Sequence, residues 1–249
     1  MRVHALQHVE FEGLGHIGKW IADRGHTLAL TRLYAGDVLP RPSAFDRLVV
    51  MGGPMNIYQD DRYPWLTAER ALVREAIAAG KSAVGVCLGA QLLADALGSP
   101  VFSGTNKEIG WWPIRLTEAG KGSGLLAGVE EEAVVFHWHG ETFDIPAGAI
   151  HLAASEGCPS QAFLYDNRIL GLQFHLESTP ETVAAILAHC GDELVSGRYI
   201  QSEARIRASG PAHFPTINRL LETLLDRLGS GEVTETRKEI KVPAAPAPA

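Results

Sequence analysis

Cys87 stands where an apolar run, Ser82-Ala83-Val84-Gly85-Val86, gives way to a helical pattern from Leu88 to Leu97. A cysteine on such a strand-to-helix turn is the thiol counterpart of the Gly-x-Ser-x-Gly nucleophile elbow. Small residues at Gly85 and Gly89 let the backbone fold closely around it. The positive end of the following helix favours negative charge on the sulfur. Far along the chain, Gln173-Phe174-His175-Leu176-Glu177 offers a base and a carboxylate two residues apart, and in extended backbone such positions point to the same side. A nucleophile, a base and an acid that orients the base are the parts needed for covalent acyl transfer.

Other residues compete for these roles. His137 and His139 are also i and i+2 on an expected strand and could take a thiol proton or hold a metal, but no matching motif supplies a third ligand, so no metal is expected. Glu177 favours His175 as the base, because a carboxylate on the far ring nitrogen fixes the tautomer and stabilises the imidazolium. Gly13-Leu14-Gly15-His16-Ile17-Gly18 fits the dinucleotide pattern of a nicotinamide-dependent oxidoreductase. Glu10 and Glu12 beside those glycines would repel a pyrophosphate, so no cofactor is expected. Cys158 precedes a proline in a turn and Cys190 ends a helical pattern, so both read as structural.

The elements that must position these groups alternate along the first part of the chain. Val3 to Val9, Thr27 to Leu33, Arg47 to Met51 and Ser82 to Val86 read as strands, with helical patterns at Ile17 to Arg24 and Trp65 to Ala79. Alternation of this kind implies right-handed crossovers and a mainly parallel sheet with helices on both faces, a three-layer α/β/α domain. Beyond the helix containing Gln91 the pattern becomes serial strands, Trp111 to Leu116, Ala133 to Trp138, Ile150 to Ala154, Gln161 to Tyr165 and Ile169 to Phe174, expected as appended antiparallel hairpins. Thr179 and Pro180 open a helix through His189, and Pro215 to Leu228 is predicted as the last one. Ligands collect at the carboxyl ends of such strands, where Cys87, His175 and the Gly52-Gly53 loop would meet.

Taken in order, Val49-Val50-Met51-Gly52-Gly53-Pro54, Cys87-Leu88-Gly89-Ala90-Gln91, Phe136-His137-Trp138-His139-Gly140-Glu141 and Gln173-Phe174-His175-Leu176-Glu177 resemble four motifs of the class I glutamine amidotransferase family. The resemblance spans roughly residues 1 to 195 and implies an open, flavodoxin-like sheet. It also implies that Cys87 is the nucleophile, His175 the base and Glu177 its orienting acid. The backbone N–H groups of Gly53 and Leu88 would receive the oxyanion, Gln91 would contact the substrate, and His139 and Gly140 would hold its α-amino and α-carboxyl groups. The implied reaction is hydrolysis of the γ-amide of glutamine through a γ-glutamyl thioester, releasing ammonia. Nothing in the chain resembles an ATP-binding half, so either a separate synthetase subunit takes the ammonia or the enzyme acts alone on γ-glutamyl amides, as the similar γ-glutamyl peptidases do. A non-catalytic module that senses glutamine is the reading from another class.

Composition bounds the rest. The chain has 249 residues, 46% of them hydrophobic and 20% charged, enough apolar material for one large domain over residues 1–228. A charged and then Pro/Ala-rich tail is expected over 229–249. The net charge of −7, with basic residues scattered, lacks the footprint of a nucleic-acid binder. Three cysteines without Cys-x-x-Cys spacing argue against a disulfide framework. No apolar run is long enough to span a bilayer, and the amino terminus reads as a first strand, so the cytoplasm is the expected location.

Overall fold

The computed structural model describes residues 1–229. Except for Gly229, the expected tail lies outside the described residues. In chain order the sequence forms β1 (Arg2–Gln7), α1 (Gly15–Asp23), β2 (Thr27–Arg32), β3 (Arg47–Val50), α2 (Trp65–Ala78), β4 (Ser82–Val86) and α3 (Leu88–Ala96). A second series follows, β5 (Val101–Leu116), α4 (Glu118–Lys121), β6 (Glu132–Phe143), β7 (Ile150–Ala154), β8 (Ala162–Tyr165), β9 (Ile169–Leu172), α5 (Pro180–Cys190) and α6 (Glu203–Arg227). The nine strands make one sheet in the order β2-β1-β3-β4-β9-β8-β7-β5-β6. From β2 to β9 the neighbours run parallel, and from β9 to β6 they run antiparallel. No helix among the described residues is long and apolar enough to cross a membrane.

Strands β3, β4 and β9 are apolar almost throughout because helices cover both faces of the sheet. Val49 and Val84 face a core shared with Ile17 and Trp20 of α1, Ile186 of α5 and Leu221 of α6. Leu48 and Val50, one residue out of phase, face a second core with Leu66 and Val73 of α2 and Leu92 of α3. Two cores on opposite sides of one sheet make the expected three layers. Asp166 and Asn167, with φ of 50° and 52°, reverse the chain between β8 and β9, as their residue types suggest.

Three elements differ from the sequence reading. β5 begins ten residues before the expected Trp111, because its first half is a polar ribbon paired only with β6, whose own strand continues past Trp138 to Phe143. α6 begins at Glu203 instead of Pro215 and runs through Pro211 and Pro215, with the Ser202 hydroxyl accepting a hydrogen bond from Arg205 N–H as its cap. A proline inside a helix leaves the carbonyl four residues back unbonded. Here both prolines and Arg207 are exposed, so those carbonyls lie on the solvent side, where water can reach them, while Ile206, Gly210, Ile217, Leu221 and Leu224 bury the opposite stripe.

Candidate active site

The turn after β4 is what the glycines require. Cys87 has φ 51° and ψ −108°, a strained conformation for a residue with a Cβ, and its N–H donates to the Leu172 carbonyl of β9 at 2.8 Å. A Cβ on Gly85 would lie 2.3 Å from the Gly89 carbonyl oxygen, and one on Gly89 would lie 2.0 Å from the Val50 carbonyl oxygen. Only glycine fits either place, so helix α3 starts in backbone contact with the sheet and carries the thiol at its first turn.

His175 lies just past β9, where its N–H donates to the Phe136 carbonyl at 2.8 Å and ties the segment to β6. Its Nδ1 donates to Glu177 Oε1 at 2.7 Å, which fixes the tautomer and leaves Nε2 for sulfur. Nε2 makes no hydrogen bond of good geometry with another protein group. Burial works against charge on this imidazole, but Glu177 and the hydrogen-bonding proximity of the Cys87 thiol outweigh it and hold the pKa well above the ordinary histidine value. The sulfur also sits 3.6 Å from the Trp138 carbonyl oxygen and 3.6 Å from Gln173 Nε2. The structure thus brings Cys87, His175 and Glu177 together.

A cleft of about 360 Å³ opens above the sulfur, bordered by Gly53, Gln91, His139, Gly140 and Glu141 among others. Gln91 is buried, and its Nε2 donates to Gln173 Oε1 at 3.3 Å, so it belongs to the floor of the cleft and not to a surface helix face. Gly53 packs against Leu88, since a Cβ there would stand 3.1 Å from that side chain. Leu88 is the first helical residue of α3, and its N–H has no intrahelical acceptor. The ring nitrogens of His139 point away from the cleft, Nδ1 to the Glu141 carbonyl at 3.1 Å and Nε2 to Glu108 Oε2 at 3.3 Å. Glu108 also lies 4.0 Å from His137 Nδ1, and so supplies the third donor for which the sequence shows no source. Burial pushes the His137 pKa down to about 3 despite that carboxylate.

Several groups escape sequence reasoning because their partners are remote. His8 is fully buried, with Nδ1 donating to the Gly52 carbonyl at 3.0 Å and Nε2 to Glu69 Oε1 of α2 at 2.8 Å. Burial lowers its pKa, but Glu69 and the Gly52 carbonyl reverse that effect and raise it, so a buried ion pair braces the glycine loop. Glu12 reaches over the same loop: a Cβ on Gly52 would lie 2.4 Å from Glu12 Oε2 and 3.3 Å from His175 Cε1. Burial pushes this carboxyl up to about 7, against the pull of His175 and His8. Gly15, part of the expected dinucleotide pattern, instead packs on the triad loop, where a Cβ would lie 2.2 Å from the Glu177 carbonyl oxygen. The next N–H, of His16, donates to that oxygen at 2.8 Å. From behind, Asn218 Nδ2 of α6 donates to the Leu176 and Ser178 carbonyls at 2.9 and 3.0 Å. Cys190 borders the cleft, but burial and the nearby carboxylates push its thiol up to about 12.

A cysteine elbow, a histidine and a carboxylate thus meet at the carboxyl ends of parallel strands on an α/β sheet, the parts that thiol-nucleophile chemistry requires. The sequence matches the family described as glutamine amidotransferase class-I over residues 19–192, and the chain belongs to that family. It is 40% identical over 236 residues to the glutamine amidotransferase-like protein YfeJ of Salmonella typhimurium, covering 92% of this chain and 97% of that one. The crystal structure of a glutamine amido transferase from Methylobacillus flagellatus superposes with a TM-score of 0.85 at 31% identity, covering 91% of this chain and 93% of the other. The glutamine-hydrolyzing GMP synthase of Streptococcus equi subsp. zooepidemicus is 32% identical over 135 residues, which is 52% of this chain and 24% of that enzyme.

Proposed function

We propose that the protein hydrolyses the γ-amide of glutamine, or of a related γ-glutamyl compound, through a covalent thioester on Cys87. The observation that carries this reading is the His175–Glu177 hydrogen bond of 2.7 Å beside a thiol presented on a strained elbow at the floor of a cleft. With its pKa raised beside Glu177 and the sulfur, His175 holds the proton drawn from the thiol, so the sulfur attacks the amide carbon as a thiolate, and the Gly53 and Leu88 N–H groups receive the charge that develops on oxygen. His175 then protonates the departing nitrogen, and ammonia leaves. Water, activated by the same ring, cleaves the thioester to glutamate and restores the thiol. Glu177 holds the ring in register throughout. Gln91 and Gly140 contribute to recognition of the substrate, whereas the His139 ring, turned to Glu141 and Glu108, offers it only backbone.

Ammonia released here passes to a separate acceptor enzyme docked on the cleft face. The likeness to a glutamine-hydrolyzing GMP synthase supports that arrangement, because there the matching region is 24% of a larger enzyme. Incubating pure protein with glutamine and a panel of γ-glutamyl compounds, with glutamate and ammonia both quantified, tests the reaction and separates glutaminase from peptidase. Cys87→Ala is expected to abolish release and labelling by an electrophilic glutamine analogue. Undiminished turnover in that variant would overturn the mechanism, and reversible glutamine binding without labelling of the native chain would favour a sensing module.

A further inference from the structure

Glu108, His137 and His139 form a buried cluster whose donor atoms all lie within 4.8 Å of one another. Register places them there: Glu108 on β5 is directly opposite His139 on β6, and His137 is on the same face of β6 two residues earlier. The hydrogen bonding of this cluster does not close. The Glu141 carbonyl can only accept, so His139 Nδ1 carries a proton, and Nε2 faces Glu108 Oε2 at 3.3 Å without a hydrogen bond of good geometry. Neither nitrogen of His137 has a hydrogen-bond partner of good geometry, and the amide oxygen of Gln161, whose Nε2 donates to Glu108, has none either. Glu108 itself is well held, by the Ser155 hydroxyl on Oε1 at 2.7 Å and by Gln161 Nε2 on Oε2 at 2.7 Å.

We propose that Glu108, His137 and His139 bind one divalent transition-metal ion, with zinc as the occupant, which locks β5 to β6 beneath the active site. Two donors on a tetrahedral zinc stand about 3.3 Å apart, given zinc–nitrogen bonds of about 2.0–2.1 Å. The His139–Glu108 pair already has that spacing, and the 4.0 Å between His137 Nδ1 and Glu108 needs only a small inward movement. The ion accepts the two imidazole lone pairs and neutralises the carboxylate. The remaining contacts are the outer hydrogen bonds such sites use: His139 Nδ1–H to a backbone carbonyl, and Ser155 and Gln161 to the ligating carboxylate. Two imidazoles with one carboxylate suit zinc better than magnesium or calcium, which prefer oxygen donors. His139 borders the cleft and gives the ion its way in. Trp138, between the two histidines, offers its carbonyl to the Cys87 sulfur, so the site stiffens the strand that contacts the nucleophile.

Full-length protein stripped with a strong chelator and desalted is titrated with Zn²⁺ against a chromophoric competitor, and separately with Co²⁺. The expected result is about one equivalent bound and a rise in Tm of at least about 5 °C at saturating zinc. Cobalt should give visible ligand-field bands without a sulfur charge-transfer band, because no cysteine coordinates. Cys87→Ser should keep this binding, whereas Glu108→Gln and His137→Asn should lose it. No stoichiometric metal on the native chain, a thiolate–cobalt spectrum, or binding that survives Glu108→Gln but disappears in Cys87→Ser would overturn the proposal. Should either ligand variant fail to fold, the stoichiometry and cobalt spectrum of the native chain decide it alone.

Discussion

Cys87 and Glu12 show how two side chains near one imidazole are set differently by position. The thiol is presented by a strained backbone, and Glu12 by a loop that drapes its carboxylate over Gly52. Because burial pushes Glu12 up to about 7 from 4.5, the native state keeps a proton that the unfolded chain has released between those two values. Stability therefore falls as pH rises through that window, and the loss is complete above pH 7. Glu12 borders the open cleft, so the effect is discounted to on the order of 1–2 kcal/mol. Glu12→Gln should thus match the native Tm at pH 5 and exceed it at pH 8, as thermal unfolding at the two values will read. Equal differences at both would mean that the carboxyl does not titrate near neutrality.

At the scale of elements, the crossing of α3 over β3 and β4 decides whether the Cys87 thiol is presented at all. Gly89 leaves no room for a methyl group, since 2.0 Å from the Val50 oxygen is well inside van der Waals contact. Gly89→Ala must push α3 off the sheet and should cost about 3 kcal/mol or more, with loss of Cys87 labelling in whatever fraction still folds. Denaturant titration with parallel labelling reads both effects. An alanine variant of native stability would show that the contact between helix and sheet is looser than described. This requirement was visible in the sequence as a Gly-x-Cys-x-Gly pattern, because an elbow is made by neighbours. The polar first half of β5 and the long helix α6 were not visible. The stretch from Ser103 to Glu108 has no apolar residue and so carries no strand signal, and a proline is read as a boundary unless the surface position of its freed carbonyl is known.

At the scale of the molecule, α6 closes the fold over the triad, and Arg47 is its anchor. The buried guanidinium donates to the Leu225 and Leu228 carbonyls at 2.8 and 2.6 Å and lies 5.5 Å from the Trp20 ring centroid, while burial pushes its pKa down to about 10. Arg47→Met leaves those helix-end carbonyls without their donor and should cost on the order of 2–3 kcal/mol. The urea midpoint will read it, and an unchanged midpoint would mean that Arg47 does not anchor α6. Through Asn218 the same helix grips the loop carrying Glu177, so weaker docking should lower turnover near the transition before Cys87 labelling is lost. By itself the sequence determined the chemistry available and the local devices that present it: the elbow, the His-x-Glu pair, the reversing Asp166-Asn167 turn and the alternation that makes three layers. These depend on residues a few positions apart, whose geometry the backbone dictates. Only the tertiary structure joined His8 to Glu69 across 61 positions, laid Glu12 over the glycine loop and set Glu108 opposite His139. Such partners are chosen by strand order, register and helix docking, which arise from packing the whole core and leave no periodic trace in the chain.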